Sequence, residues 1–228
     1  MARLAASPQK SKRDKPLGRL QPRANDSHQG HYHGPVDSLF GLNKPTKHTT
    51  RAMRIITGQY KGRHFDIPRT FKARPTTDFA KENIFNVMNG YIDLEGASAL
   101  DLFAGTGGIS LELLSRGCAS VVSVESDRDH ARFIKQCVQK LGTTSSVLVK
   151  GDVFRFVKSC HKAFDFIFAD PPYALEQLPT LPDLIFQHQL LNEDGVFVFE
   201  HGKKNDFSEH EHFVEHRAYG SVNFSVFR

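Results

Sequence analysis

The chain has 228 residues, of which 39% are hydrophobic and 24% are charged, and its formal net charge is +5. This length suits one ordinary domain with a large core plus an appendage. No apolar run approaches the ~20 residues that cross a bilayer, and no segment resembles a signal peptide, so we expect a cytoplasmic protein without a membrane partner. The three cysteines are widely spaced and form no C-x-x-C pair, which predicts neither a zinc site nor a disulfide framework.

Charge is distributed unevenly along the chain. Residues 1–52 carry a net charge of +7, residues 53–75 carry +5, and residues 76–228 carry −7. A basic N-terminal third attached to an acidic body indicates a polyanionic partner held at one end. For residues 1–52 alone, a basic tail that is merely solvated is an equally good interpretation.

Residues 1–52 are rich in Ser, Pro, Gly, His, Lys and Arg, and they contain few large apolar residues. Such a segment cannot bury enough apolar surface to offset its ordering entropy, so we predict a disordered basic extension. Met53 is a candidate translation start, and an organellar transit peptide is a rival interpretation of the segment before it. His28, His31 and His33 lack a partner cysteine or carboxylate cluster, so we expect no metal site.

Residues 53–75 are predicted to form a basic hairpin and a linker ahead of the main domain. The hairpin covers residues 54–67 and turns around Gly58. A helix then begins at Thr76 or Thr77, either of which can cap it. Helical spacing predicts that its buried face consists of Ala80, Ile84, Val87, Met88 and Tyr91.

From residue 98 onward, strand and helix patterns alternate, which predicts a doubly wound, mostly parallel α/β sheet with helices on both faces. Two final segments flank Gly220-Ser221 and predict a C-terminal antiparallel hairpin. This is the Rossmann-like architecture of class I methyltransferases, so residues 76–228 are predicted to be a methyltransferase domain. The basic hairpin within residues 53–75 is predicted to be its N-terminal β-hairpin extension. The predicted strands are residues 99–103, 121–125, 147–149, 164–169, 196–200, 213–219 and 223–227.

The loop after the first of these strands has the D-x-F-x-G-x-G form of S-adenosylmethionine sites. Gly105 and Gly107 permit positive φ and close backbone approach, whereas Ser110 stands where dinucleotide folds need a third glycine. Asp101 can hold the methionine ammonium, directly or through water. The backbone that can face the methionine and sulfonium belongs to Phe103, Ala104, Gly105, Thr106 and Gly107.

Further acidic residues follow the next two strands. Glu125 ends the second strand, where an acid can accept both ribose hydroxyls, although a solvated strand-end acid is the alternative. Asp152 follows the third strand and can accept a hydrogen bond from the adenine amino group, while Val153 can donate its backbone N–H to the ring. Asp127 and Asp129 are predicted to cap the next helix and to place negative charge at its N-terminus. With the glycine loop, Glu125 and Asp152 predict a site for S-adenosylmethionine.

Asp170-Pro171-Pro172-Tyr173 follows the short apolar strand at residues 164–169, at the end where parallel strands bind ligands. The Asp170 carboxylate and the Pro171 carbonyl can accept hydrogen bonds from an exocyclic amino group and stabilise the positive charge that develops there during methylation. The prolines hold these acceptors rigidly, and Tyr173 can stack on an extruded base. A Pro-Pro turn with a capping Asp is the purely structural alternative.

Residues 53–228 resemble the RsmD family, the bacterial 16S rRNA guanine-N2 methyltransferases. The resemblance is carried by residues 53–58 with 61–63, 74–78, 100–108 and 170–173. It implies S-adenosylmethionine as donor and one guanine of 16S rRNA as target, within the 30S subunit or its assembly intermediate. By position it implies that Asp170 and Tyr173 hold the base, that Asp101, Glu125 and Asp152 hold the cofactor, and that Arg54, Lys61, Arg63 and Arg74 contact rRNA.

The sequence leaves two alternatives open. An N6-adenine methyltransferase acting on RNA or DNA can use the same Asp-Pro-Pro-Tyr motif, although no segment is free to serve as a DNA-recognition domain. A non-catalytic RNA-binding ribosome assembly factor could retain a cofactor pocket, but the four intact acids at 101, 125, 152 and 170 favour an enzyme. In either case we expect a monomer.

Overall fold

The computed structural model describes residues 51–71, 76–220 and 222–228. The predictions made for residues 1–50 and for Arg74 therefore lie outside the described residues. Within the described ranges, no helix has the length and apolar character needed to cross a membrane.

Nine strands and five α-helices occur in the described ranges. The strands are β1 (Ala52–Arg54), β2 (His64–Asp66), β3 (Ser98–Leu102), β4 (Ser120–Glu125), β5 (Ser146–Lys150), β6 (Phe164–Ala169), β7 (Leu191–His201), β8 (Phe213–Tyr219) and β9 (Val222–Phe227). The helices are α1 (Asp78–Met88), α2 (Gly108–Ser115), α3 (Arg128–Leu141), α4 (Val153–Ser159) and α5 (Leu181–Gln187).

Seven strands form one sheet in the order β5-β4-β3-β6-β7-β9-β8. Strands β3 to β7 are parallel, while β9 pairs antiparallel with both β7 and β8. This confirms the predicted doubly wound sheet with its C-terminal antiparallel hairpin. The chain runs outward from β3 to β4 and β5, then returns to β6 on the other side of β3. The strand order reverses between β3 and β6, the point at which open α/β sheets bind ligands.

Alternating side chains of the central strands enter two separate cores, because helices cover both faces of the sheet. Phe166 and Phe168 of β6 belong to one core, whereas Ile167 and Ala169 belong to the other. Burial on both faces explains why the last four residues of β6 are all apolar rather than alternating with polar ones.

Strand β7 is longer than predicted, since it begins at Leu191 rather than at residue 196. Leu191 pairs with Phe164 and Val196 pairs with Phe166, so four residues of β7 bulge opposite one residue of β6. The bulge contains Asn192, Glu193, Asp194 and Gly195, and its three polar members are exposed. That polar, glycine-containing composition predicts a turn, which is why the sequence placed the start of the strand too late.

The N-terminal hairpin is confirmed, but its strands have only three residues each, and residues 55–63 form a long loop between them. This loop is attached to α2. The Glu112 carboxylate accepts the backbone N–H groups of Ile56 and Thr57, each at 2.9 Å. Gly58 has a φ of +84°, and a Cβ there would lie 1.8 Å from the Ser115 carbonyl oxygen, so only glycine fits this contact.

Helix α1 begins as predicted, because the Thr77 hydroxyl accepts the Ala80 N–H at 3.1 Å. The predicted buried residues Ile84, Val87 and Met88 are buried, whereas Ala80 is only partly buried and Tyr91 lies beyond the helix end. Two further buried residues, Lys81 and Phe85, were missing from the predicted face.

The Lys81 ammonium donates a hydrogen bond to the Arg54 carbonyl oxygen and lies 3.6 Å from the Asp78 carboxylate. Burial lowers its pKa, and this effect is opposed by the nearby charges of Glu112 and Asp78. An apolar periodicity cannot identify a buried lysine of this kind, because the partner that satisfies it lies in the remote hairpin.

Candidate active site

A cavity of about 400 Å³ lies at the point where the strand order reverses. This volume is within the ~300–1,000 Å³ range of small-molecule sites. Segments that follow β3, β4, β5 and β6 all contribute to its wall. The lining residues are Thr76, Phe103, Ala104, Gly105, Thr106, Glu125, Ser126, Asp127, His130, Asp152, Val153, Asp170 and Pro172.

The glycine loop between β3 and α2 is held in a tight, left-handed conformation. Phe103, Gly105 and Gly107 have φ values of +62°, +55° and +79°. The Gly107 N–H donates to the Ala104 carbonyl at 2.7 Å, which closes the turn. A Cβ on Gly107 would lie 2.9 Å from Cγ1 of Ile134 in α3. The glycine therefore permits both the φ value and the close packing of the loop on α3.

Phe103 is the unexpected member of this loop, because a positive φ is costly for a bulky residue. Its ring packs edge-on against Phe154 of α4, with 6.3 Å between ring centroids. The predicted cofactor residues Phe103, Ala104, Gly105 and Thr106 line the cavity, whereas Gly107 does not.

Glu125 ends β4 and is 6% exposed, so it is not a solvated surface acid. Its two oxygens accept the Gly105 N–H and the Asp127 N–H, both at 2.7 Å. A carboxylate offers about four acceptor positions, so two remain for hydroxyl groups in the cavity. Glu125 therefore fixes the glycine loop and also faces the space where a ribose is predicted.

His130 lines the same cavity and was not identified from the sequence. It lies in the first turn of α3, which Asp127 caps by accepting N–H groups of Asp129 and His130. Its ring nitrogen Nδ1 is 4.0 Å from Glu125 Oε1, and its ring centroid is 4.6 Å from that of Phe71. The sequence did predict a helix cap at Asp127. Because this cap puts His130 in the first turn of the helix that follows Glu125, it could have indicated that the two residues are close.

Asp101 is not among the lining residues, although it lies on β3 directly before the glycine loop. It is 2% exposed, and its carboxylate accepts the Ser110 hydroxyl at 2.5 Å. Burial raises the pKa of Asp101 to about 7, against the opposing hydrogen bonds of Ser110. The role predicted for Asp101, direct or water-mediated contact with an ammonium group, stays a prediction.

Asp152 and Val153 line the cavity at the start of α4. One oxygen of Asp152 caps this helix by accepting the Arg155 N–H at 2.8 Å. The other oxygen makes no hydrogen bond with the part of the chain that the structure describes, so it is available to an amino group.

Two residues of the Asp-Pro-Pro-Tyr motif, Asp170 and Pro172, line the cavity, while Pro171 is buried. The pKa of Asp170 is raised well above its usual range, first by burial and then by the neighbouring charges of Glu200 and Asp101. Tyr173 is 47% exposed, and its hydroxyl donates to Glu200 Oε1 at 2.6 Å. Glu200 was predicted only as the end of a strand, and its contact with the motif was missed.

The predicted rRNA contacts occupy different environments. Arg54 forms an ion pair with Asp78, with Nη2 2.6 Å from Oδ2, so its charge is partly neutralised. Lys61 and Arg63 are exposed in the hairpin loop, and neither forms an ion pair within the described ranges. A surface groove between the hairpin and the start of α1 shares the lining residue Thr76 with the cavity.

The chain matches the family model described as Conserved hypothetical protein 95 over residues 53–228. It is 38% identical over 161 residues to YlbH of Bacillus subtilis, which is named as a candidate rRNA methyltransferase, covering 69% of this chain and 86% of that protein. It is 29% identical over 164 residues to the ribosomal RNA small subunit methyltransferase D of Escherichia coli K12, covering 72% and 82%.

Solved structures agree with these sequence relatives. A candidate methyltransferase of Escherichia coli, yhhF, superposes with a TM-score of 0.68 at 26% identity, covering 77% of this chain and 97% of that one. The hypothetical protein TTHA0928 of Thermus thermophilus superposes with a TM-score of 0.67 at 26% identity, covering 77% and 98%. The chain therefore belongs to the Conserved hypothetical protein 95 family, which is the RsmD family predicted from the sequence.

Proposed function

We propose that this protein transfers a methyl group from S-adenosylmethionine to the exocyclic N2 amino group of one guanine in 16S rRNA. The observation that carries the proposal is a shared cavity. The glycine loop, Glu125 and Asp152, which suit the donor, line the same space as Asp170 and Pro172, which suit the acceptor. A methyl donor and an amino acceptor bound there would be neighbours, as direct transfer requires.

The lining residues fit the chemistry of the donor. Glu125 retains acceptor positions suited to the ribose hydroxyls, and the unoccupied oxygen of Asp152 suits the adenine amino group. The carboxylates of this region also suit a molecule that carries a sulfonium and an ammonium charge. When bound, S-adenosylmethionine supplies an electrophilic methyl group on sulfur.

Asp170 has the central role on the acceptor side. Its carboxylate and the Pro171 carbonyl would accept the two N–H groups of the guanine N2 and stabilise the positive charge that develops on that nitrogen. As the N–CH₃ bond forms, the S–CH₃ bond breaks, and one amino proton passes to Asp170. The raised pKa of Asp170 suits this task, because a stronger base accepts the proton more readily.

The substrate assignment draws on the relatives and on the charge pattern. The Escherichia coli relative is named a small subunit rRNA methyltransferase, and Lys61 and Arg63 present exposed positive charge in the hairpin loop. Such charge suits the phosphates of a shaped RNA surface. A base must leave its stack to reach Tyr173, which costs least in an unpaired loop. We therefore propose the 30S subunit or its assembly intermediate as the substrate.

The test is transfer of a tritiated methyl group from S-adenosylmethionine to 30S subunits that lack the modification. We expect label in 16S rRNA with the wild-type protein and at least ~100-fold slower labelling with Asp170→Asn, the scale of a lost transition-state hydrogen bond. Absence of label with wild-type protein that binds both the cofactor and 30S subunits would contradict the proposal and favour a non-catalytic assembly factor.

A further inference from the structure

Glu200 lies beside Asp170 at the carboxyl edge of the sheet. Ala169 at the end of β6 pairs with Phe199 of β7, so the next residues along the two parallel strands, Asp170 and Glu200, are also neighbours. Glu200 is 7% exposed and precedes the last residue of β7. The catalytic motif predicted from the sequence therefore has a buried acidic neighbour that the motif itself does not include.

The contact between Tyr173 and Glu200 has the geometry of a strong hydrogen bond. The Tyr173 hydroxyl is 2.6 Å from Glu200 Oε1, a distance typical of an O–H donor with a carboxylate acceptor. The two residues are 27 positions apart in the sequence. This bond therefore connects the end of β7 to the loop that follows β6.

Gly202 provides a second contact for the same ring. A Cβ built on Gly202 would lie 3.5 Å from Cδ2 and 3.7 Å from Cγ of Tyr173. The ring thus rests against the backbone that follows β7, while its hydroxyl is held by Glu200. Its backbone follows two consecutive prolines, which restrict the chain on the other side. Despite these contacts, Tyr173 remains an exposed residue.

Tyr173 is held at its hydroxyl and along one side of its ring, while the rest of the residue is exposed to solvent. Such a tyrosine is suited to stack on an extruded base. The stacking surface is useful only if its orientation is fixed, because a rotating ring would lose conformational entropy on binding. We propose that Glu200 is a positioning residue that fixes the Tyr173 ring for the target base; this inference rests on the proposed function. In this role Glu200 acts through the tyrosine hydroxyl. Its charge also raises the pKa of Asp170, and Glu200→Gln removes that charge while keeping an acceptor for Tyr173.

The test is a double-mutant cycle on methylation of 30S subunits. Glu200→Ala and Tyr173→Phe should each lower kcat/KM for the subunit roughly 10-fold, the effect of losing one hydrogen bond to a charged group. The double variant should be no slower than Glu200→Ala, because the bond that Tyr173→Phe removes is already lost in Glu200→Ala. The dissociation constant for free S-adenosylmethionine should not change in any of them.

Two further variants separate positioning from a general loss of structure. Glu200→Gln keeps a carbonyl oxygen that can accept from Tyr173, so it should recover most of the activity that Glu200→Ala loses. Glu193→Ala removes an exposed glutamate from the same strand and should behave as wild type. The inference would be overturned if the reductions in kcat/KM multiplied in the double variant. Full activity of Tyr173→Phe would also overturn it.

A measurement without turnover keeps this test separate from the proposed function. Burial, the hydrogen bond to Glu200 and the charges of Glu200 and Asp170 together raise the pKa of Tyr173, so its hydroxyl keeps its proton at neutral pH. In protein carrying ¹³C-labelled tyrosine, the ring-carbon resonance absent from Tyr173→Phe should differ in chemical shift between Glu200→Ala and wild type at neutral pH, because the hydroxyl loses its carboxylate acceptor. An identical chemical shift would overturn the inference, whereas wild-type protein that methylates no guanine would overturn the proposed function alone.

Discussion

Asp101 combines a buried position with a negative charge, and this combination has a cost in stability. Its pKa is raised from 3.8 to about 7 by burial. Between these values the folded protein holds a proton that the unfolded chain has lost. The contribution of Asp101 to stability therefore falls as the pH rises from about 4 to about 7, and it is lowest above pH 7.

We predict that Asp101→Asn stabilises the cofactor-free protein at pH 8, because the amide carries no charge to desolvate. The upper limit is about 4 kcal/mol, from about 1.36 kcal/mol per pKa unit. Denaturant unfolding at pH 5 and pH 8 measures the effect, and the gain should be much smaller at pH 5. Equal stability of the two proteins at pH 8 would show that the Asp101 carboxylate is not penalised by burial.

Cofactor binding and methyl transfer should separate at the level of single residues. Glu125→Ala should weaken S-adenosylmethionine binding by more than the about 1–3 kcal/mol of a polar contact, because Glu125 also holds the N–H groups of Gly105 and Asp127. Asp170→Asn should leave cofactor binding nearly unchanged while slowing transfer. If calorimetry showed that Asp170→Asn loses cofactor binding, Asp170 would have to be assigned to the cofactor site rather than to methyl transfer.

At the scale of elements, the N-terminal hairpin is attached to the catalytic fold by a small set of specific contacts. Glu112 is fully buried, and it accepts two hairpin N–H groups while lying 3.2 Å from Arg116. The Ser115 hydroxyl donates to the Thr57 carbonyl at 2.5 Å. These bonds hold the loop that carries Lys61 and Arg63 against α2.

Two glycines of this loop form a matched pair for testing the attachment. Gly58 and Gly62 have nearly the same φ, +84° and +82°, but a Cβ on Gly58 would collide with Ser115 while a Cβ on Gly62 would meet nothing within 4 Å. Gly58→Ala should therefore lower the free energy of unfolding by at least about 2 kcal/mol more than Gly62→Ala. If both variants lost the same free energy of unfolding, the hairpin loop would not stay in contact with α2 in solution.

Charge reversal of Lys61 and Arg63 should weaken binding to 30S subunits. For each phosphate that the protein no longer neutralises, the slope of log K against log salt concentration should become shallower by roughly 0.7–0.9. Reversal of the exposed Lys135 and Lys140 on α3 is the control for a change in net charge alone. If both double variants bind 30S with the same affinity and salt slope, the hairpin is not the RNA contact.

For the whole molecule, the sheet and the glycine loop could be predicted from the sequence because local patterns determine them. The bounds of β6 follow from a short run that is apolar except for Asp165, and the α1 cap follows from a threonine before that helix. The roles of Glu112 and Glu200 could not be predicted in this way. Their hydrogen-bond partners Ile56 and Tyr173 are 56 and 27 residues away along the chain. Local periodicity cannot predict hydrogen bonds between residues so far apart.

The identity of the methylated nucleoside distinguishes guanine N2 from adenine N6 as the target atom. Unmodified 30S subunits would be treated with the protein and S-adenosylmethionine, and the 16S rRNA would be digested to nucleosides for mass spectrometry. We predict N2-methylguanosine, made at a single position and absent from reactions with Asp170→Asn. N6-methyladenosine in its place would contradict the assignment of the target atom, while the fold and the family would stand.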